Sequence, residues 1–155
     1  MDETLLSQII DRYESTIFTV NRRLNAMIKD RMPEELTQEQ YATLRYLQSR
    51  GQCTSSELAE IFCVGKSSIT AIITRLADKE LIVRMPDDKD RRVTYLALTD
   101  KGTAAVNEMR LRIQELLAGV IKHFDGQEAI TFIETFEKLA DVLVQQPDEG
   151  SRHKG

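Results

Sequence analysis

Cysteine and histidine are scarce in this 155-residue chain, with two of each. Cys53 and Cys63 are too few for a disulfide scaffold. They flank one short predicted helix, where the helical rise would hold them roughly 15 Å apart. A disulfide needs Cα atoms within about 7 Å, so no intrachain bridge is expected. No Cys/His spacing suits zinc, and there is no glycine-rich phosphate loop or nucleophile elbow. His123 stands alone near a helix end, and His153 lies in a polar tail. The chain is therefore expected not to be an enzyme, with no catalytic residues, metal or cofactor. No apolar run approaches the roughly 20 residues that span a bilayer. Met1-Asp2-Glu3 is acidic where a secretion signal would be basic. A cytoplasmic location and no membrane partner are the expectation. No internal repeat is visible.

What is present suits one globular domain: 41% hydrophobic residues and 30% charged ones. The net charge of -4 argues against a generally basic nucleic-acid coat protein. The charge is uneven, however. Residues 64–94 carry +2, from Lys66, Arg75, Lys79, Arg84, Lys89, Arg91 and Arg92 against five acids, so the remainder carries -6. That segment is the natural anion-facing surface.

Hydrophobic periodicity divides the chain into helices. Residues 4–29 predict one long helix, with Tyr13, Ile17, Val20, Leu24 and Met27 as a seam of period near 3.5. Such a seam suits packing against another helix, within one chain or between two. After Pro33, Thr37 to Gln40 is a capping box that opens a helix with Tyr41, Leu44 and Leu47 inward, ending at Gly51. Thr54 to Glu57 is a second capping box, for a short helix with Leu58, Ile61 and Phe62 inward. Cys63-Val64-Gly65 breaks the pattern, and a helix follows over 66–79. Leu81 to Arg84 reads as a strand, Met85 to Arg92 as a charged loop, and Thr94, Leu96 and Leu98 as a returning strand. Thr99 caps a helix reaching about Lys122, with Val106, Met109, Ile113, Leu116, Val120 and Ile121 as its stripe. Asp125 opens the last helix, with Ile130, Ile133, Phe136, Ala140 and Leu143 inward. From Pro147 the chain is polar and expected to be disordered.

Two short helices joined by a tight turn form a helix-turn-helix, whose second helix enters the major groove. On helix 66–79, Ile69, Ile72, Ile73 and Leu76 fall on one side. Ser67, Thr70, Ala71 and Thr74 fall opposite, flanked by Ser68 and Arg75. That outer face is small, hydroxylated and free of acids before Asp78. Small residues admit the backbone to the groove, and hydroxyls bond phosphates or base edges. An exposed helix of mediocre propensity would look similar. The adjoining hairpin adds weight, since Arg84, Lys89, Arg91 and Arg92 sit at or beside its tip. Arginine on a narrow tip suits the minor groove, where negative potential is focused. Asp90 is a structural partner able to orient an arginine or tie the loop back.

These residues resemble the MarR family of bacterial winged helix-turn-helix transcription regulators, nearly along the whole chain. Lys66-Ser67-Ser68-Ile69-Thr70 is similar to the start of the family's recognition helix. Leu76 through Arg84 looks like its end and the first wing strand. Asp90-Arg91-Arg92 with Leu96-Ala97-Leu98-Thr99 and Gly102 resembles the wing signature. The resemblance implies a mainly α fold with a small β-hairpin wing, and a homodimer. Residues 1–35 and 99–146 would form the helical dimerisation region, residues 36–98 the DNA-binding winged helix-turn-helix, and 147–155 a tail. It implies Asp90 and Arg92 as the family's wing aspartate and arginine, with Gly65 departing from the Ser or Asp often found before the helix. Glycine is a weaker but adequate N-cap.

The DNA-binding set is then Lys66, Ser67, Ser68, Thr70, Thr74, Arg75, Arg84, Lys89, Arg91 and Arg92, with Asp90 structural. The partners are double-stranded DNA and a second copy of the chain. Relatives of this kind are commonly repressors of drug-efflux or stress genes, released by a small aromatic or lipophilic effector. Tyr13, Phe18, Met27, Tyr41 and Tyr46 have the character of a cavity lining, but plain core packing explains them equally, so no ligand site is assigned. Residues 1–52 lack the cysteine of the family's peroxide sensors, and both cysteines read as structural or incidental. A winged helix that binds only protein remains the alternative.

Overall fold

A computed structural model describes residues 1–33 and 35–146; the expected tail at 147–155 lies outside them. Its elements follow in the order α1 (Glu3–Arg31), α2 (Gln38–Arg50), β1 (Cys53–Thr54), α3 (Ser55–Ile61), α4 (Lys66–Asp78), β2 (Ile82–Pro86), β3 (Thr94–Leu98), α5 (Asp100–Ile121) and α6 (Gly126–Gln145). The chain divides into two compact units, one from Met1 to Leu116 and one from Leu117 onward.

Local chemistry sets the helix starts. Thr37 accepts from Gln40 N while the Gln40 side chain accepts from Thr37 N, so both directions of the capping box form. Thr54 and Glu57 do the same for α3. Gly51 ends α2 at φ 83, a left-handed conformation that a Cβ disfavours. Asp125 accepts from Glu128 N and starts α6.

The core of the first unit gathers Leu44 and Leu47 of α2, Leu58 of α3, and Ile69, Ile73 and Leu76 of α4. Leu81, Ile82, Leu96, Val106 and Met109 close it from the strands and α5. Fully burying one such side chain contributes about 1.5–3 kcal/mol, so α4 is held by its apolar face whatever its outer face does. The sheet has three strands in the order β1-β3-β2, all antiparallel. The sequence predicts only a hairpin; β1 is two residues long, too short for any periodicity to betray. β2 runs on through Met85 and Pro86, expected as loop, because an edge strand accepts a terminal proline that donates no hydrogen bond.

Two inward assignments are corrected. Ile61 is 53% exposed, while Ala59 is buried in its place. At about 100° per residue the stripe through Leu58, Ala59 and Phe62 leaves Ile61 more than a quarter-turn away. On α6 no residue is buried, and Ile130, Ile133, Phe136 and Leu143 are all exposed. The seam on α1 also has no buried residue. Within the seam Ile17, Leu24 and Met27 are half-buried while Tyr13 and Val20 are exposed, so both helices carry apolar residues left to solvent.

Candidate nucleic-acid interface

Helix α4 is amphipathic in the manner its sequence predicts. Ile69, Ile73 and Leu76 are buried and Ile72 is half-buried. Lys66, Ser67, Ser68, Thr70, Ala71, Thr74 and Arg75 are all exposed. Gly65 caps the helix by backbone alone, with no side-chain hydrogen bond to the first-turn amides. Such amides are natural partners for an anion. Thr70 differs from the other hydroxyls: its Oγ1 donates to Lys66 O at 2.7 Å. Its proton is therefore occupied, leaving a lone pair and a methyl group outward.

The turn before α4 is compact. Cys63 adopts φ 52, and Val64 N donates back to Ala59 O at 3.1 Å. Phe62 meets Tyr46 of α2 edge-on, with ring centroids 6.3 Å apart. Both cysteines are free; Cys63 is exposed, whereas burial pushes the Cys53 thiol up to about 11. A thiol so placed is inert at neutral pH.

The wing tip is organised by its acids. Asp87 N donates to Val93 O at 2.9 Å and Val93 N to Asp90 O at 3.1 Å. Asp87 Oδ1 accepts from Lys89 N. Asp90 Oδ1 accepts from Arg92 N at 3.0 Å and from Arg92 Nε at 3.2 Å. These two hydrogen bonds hold the Asp90 carboxyl below its ordinary value. The Arg92 side chain nonetheless stays 91% exposed, oriented rather than covered. Lys89 and Arg91 are exposed beside it. Arg84, read as the last residue of the first strand and beside the tip, is exposed in the middle of β2 opposite Leu96, because the strand runs on to Pro86. Among the described residues, Lys66, Arg75, Arg84, Lys89 and Arg91 form no ion pair.

A second group of residues fixes the C-terminal end of α4. Glu80 turns the chain at φ 60, and Thr99 Oγ1 donates to Glu80 O at 2.6 Å. The same oxygen accepts from Gly102 N, capping α5. Gly102 lies so close to Leu81 that a Cβ would stand 2.0 Å from Leu81 O. Lys79, counted by sequence among the anion-facing charges, is turned inward instead. Its Nζ donates to Gln40 Oε1 at 3.0 Å and also to Glu35 O. The pairing spans 44 residues, and no local signal announces it. The Thr-x-x-Gly spacing at 99–102 is the visible trace of the rest.

The aromatic residues with the character of a cavity lining do not converge. Tyr13 and Phe18 are exposed on α1, with Arg22 over the Phe18 ring at 5.3 Å. Tyr46, of the same group, lines an open cavity of about 450 Å³ beside α2 and α3, with Arg50, Gln52, Glu57, Glu60 and Ile61. His123 is exposed, its Nδ1 3.1 Å from Val120 O.

A model of the MarR family matches residues 36–94, which span α2 to the start of β3. The HTH-type transcriptional repressor MdtR of Bacillus subtilis is 31% identical over 116 residues, 75% of this chain and 75% of that protein. Among solved structures, a MepR-like protein complexed with pseudoligands is 32% identical, with a TM-score of 0.62 over 86% of this chain and 95% of that one. A mutant of MarR from E. coli, complexed with operator DNA, has a TM-score of 0.73 at 23% identity. The match covers 84% of this chain and 94% of that one, and it shows the shared fold.

Proposed function

This chain belongs to the MarR family of helix-turn-helix transcriptional regulators, and from that premise we propose that it is a homodimeric repressor reading a pseudo-palindromic operator in double-stranded DNA. The observation that carries the reading is the α4 surface: an exposed, hydroxyl-rich face, free of acids before Asp78, on a helix locked into the core by its other side. Ser67, Ser68, Thr70, Thr74 and Arg75 meet base edges or phosphates in the major groove, with Lys66 on the backbone at the helix start. Arg91, Arg92 and Lys89 reach the adjacent minor groove or its phosphates, and Asp90 fixes the angle at which Arg92 is presented. Arg84, set back along β2, is a phosphate contact of the wing's flank.

The dimer is supported by the uncovered apolar residues, Leu5, Ile9, Tyr13 and Phe18 on α1 and Ile130, Ile133, Phe136 and Leu143 on α6. Exposed stripes of this kind mark association surfaces. We assign residues 1–35 and 99–146 to dimerisation and 36–98 to DNA binding. Release by a small lipophilic or aromatic effector draws its support from the MepR-like relative, which is complexed with pseudoligands. Such a ligand shifts DNA affinity only by its differential affinity for two dimer arrangements. The protein has no catalytic role and acts in the cytoplasm; no helix among the described residues is long and apolar enough to cross a membrane.

The test is selection of duplexes from a random pool by the purified protein, followed by titration at about 50 and 200 mM salt. Enrichment of an inverted repeat, bound tightly and with steep salt dependence, is the predicted outcome. Weak binding without sequence preference would instead favour a winged helix that engages protein.

A further inference from the structure

The C-terminal end of α4 is tied to the connection between α1 and α2 through one side chain. Lys79, at the helix C-cap, donates from Nζ to Glu35 O and to Gln40 Oε1. Gln40 is only 4% exposed, one of two buried polar residues among those described, and belongs to the capping box that starts α2. The Lys79 carbonyl in turn accepts from Lys101 Nζ at 3.0 Å, and the next carbonyl, of Glu80, accepts from Thr99. Nearby, Gln38 Nε2 donates to Asn25 O and Arg112 donates to Arg31 O, so the C-terminal turns of α1 are held in the same region. The first turn of α2, the last turn of α4 and the start of α5 thus meet at one polar node.

We propose that Lys79 is a positioning residue for operator recognition: it touches no DNA, and sets the inclination of α4 against the α1–α2 connection. This rests on the reading of α4 as the helix that enters the groove. A helix of 13 residues is about 20 Å long. A tilt of roughly 5° at the anchored end therefore moves Ser67 and Ser68 by about 1.5 Å. Hydrogen bonds to base edges are lost over such a displacement, because they weaken within tenths of an ångström to one ångström. Contacts from long lysine and arginine side chains to phosphates are not, since those side chains re-extend. Loss of Lys79 should therefore reduce sequence-specific affinity and spare non-specific affinity. A phosphate-binding lysine would do the opposite, weakening both and lowering the salt slope.

The experiment compares wild type, Lys79→Met, Lys79→Arg, Gln40→Met and the Lys79→Met/Gln40→Met double variant. Each is titrated against the duplex most enriched by the wild type and against a shuffled duplex of equal length, over a series of salt concentrations. Amide exchange is followed in parallel at residues 35–41 and 76–81. Lys79→Met is expected to lose about tenfold in specific affinity, with shuffled-duplex affinity and salt slope unchanged and with faster exchange in both segments. Lys79→Arg, which keeps donors at similar reach, should recover most of the loss. Gln40→Met removes the acceptor instead of the donor and should act in the same direction; since Gln40 also serves the capping box of α2, the two losses should be less than additive in the double variant. A parallel loss on both duplexes with a shallower salt slope would make Lys79 a phosphate contact and overturn the proposal. An unchanged ratio of specific to shuffled affinity in both Lys79→Met and Gln40→Met overturns it as well. If the wild type enriches no duplex at all, the operator reading itself has failed, and that is visible before any variant is made.

Discussion

Gly102 shows how one residue type can be dictated by a single approach. Its Cα side faces the Leu81 carbonyl at a separation that leaves no room for a methyl group. Gly102→Ala should therefore force α5 away from the end of α4 and destabilise the protein by about 1–3 kcal/mol, the usual cost of overpacking; a chemical denaturation curve reads it directly, and an unchanged midpoint contradicts the packing. Arg92 is the corresponding residue of the proposed DNA interface. Arg92→Ala should weaken DNA binding on specific and shuffled duplexes alike and lower the salt slope by about one, with the dimer intact. Unchanged affinity would remove the wing from the interface. At this scale the sequence is informative where the chemistry is local. Thr37, Thr54 and Asp125 cap as their spacing predicts. It is silent where partners are distant: Lys79 reads as one more surface cation, and its partners lie far back in the chain.

Helix α4 and the wing differ in how firmly they are built. The helix is fixed by three buried side chains and by the polar node at its C-terminal end. The wing tip depends on hydrogen bonds among exposed groups, with Asp90 at their centre. Since the Arg92 amide and guanidinium favour the charged carboxylate, the folded wing holds Asp90 below its ordinary value of 3.8. The sign follows: this contribution is fully present above 3.8 and is lost only as pH falls through the lower folded value. The Asp90 carboxyl carbon should titrate by NMR with a midpoint under 3.8, and Arg92→Ala should raise that midpoint. A midpoint at or above 3.8 in the wild type would mean that the loop is not organised as described. Periodicity locates α4 to within a residue at each end. It fails for Ile61, because a seven-residue helix offers too few positions to define a buried face.

At the scale of the whole molecule, the uncovered stripes on α1 and α6 are the feature to explain. Sequence pattern identifies these residues as packing surfaces and points those of α6 inward; the structure leaves Ile130, Ile133, Phe136 and Leu143 exposed. Periodicity reports that a face is apolar, not what covers it. Phe136→Asp places a charge in that stripe and should shift sedimentation from dimer toward monomer, with the helical signal retained. A dimer of undiminished stability would exclude α6 from the interface. Two copies of α4 related by a two-fold axis then imply a defined footprint. The most direct measurement is hydroxyl-radical cleavage of the most enriched duplex with the wild-type protein bound. The account predicts two symmetry-related protected patches separated by about one helical turn, roughly 10–10.5 base pairs, or a multiple of it, with the outermost protection lost in Arg92→Ala. A single unrepeated patch, or uniform protection without a pattern, would contradict it.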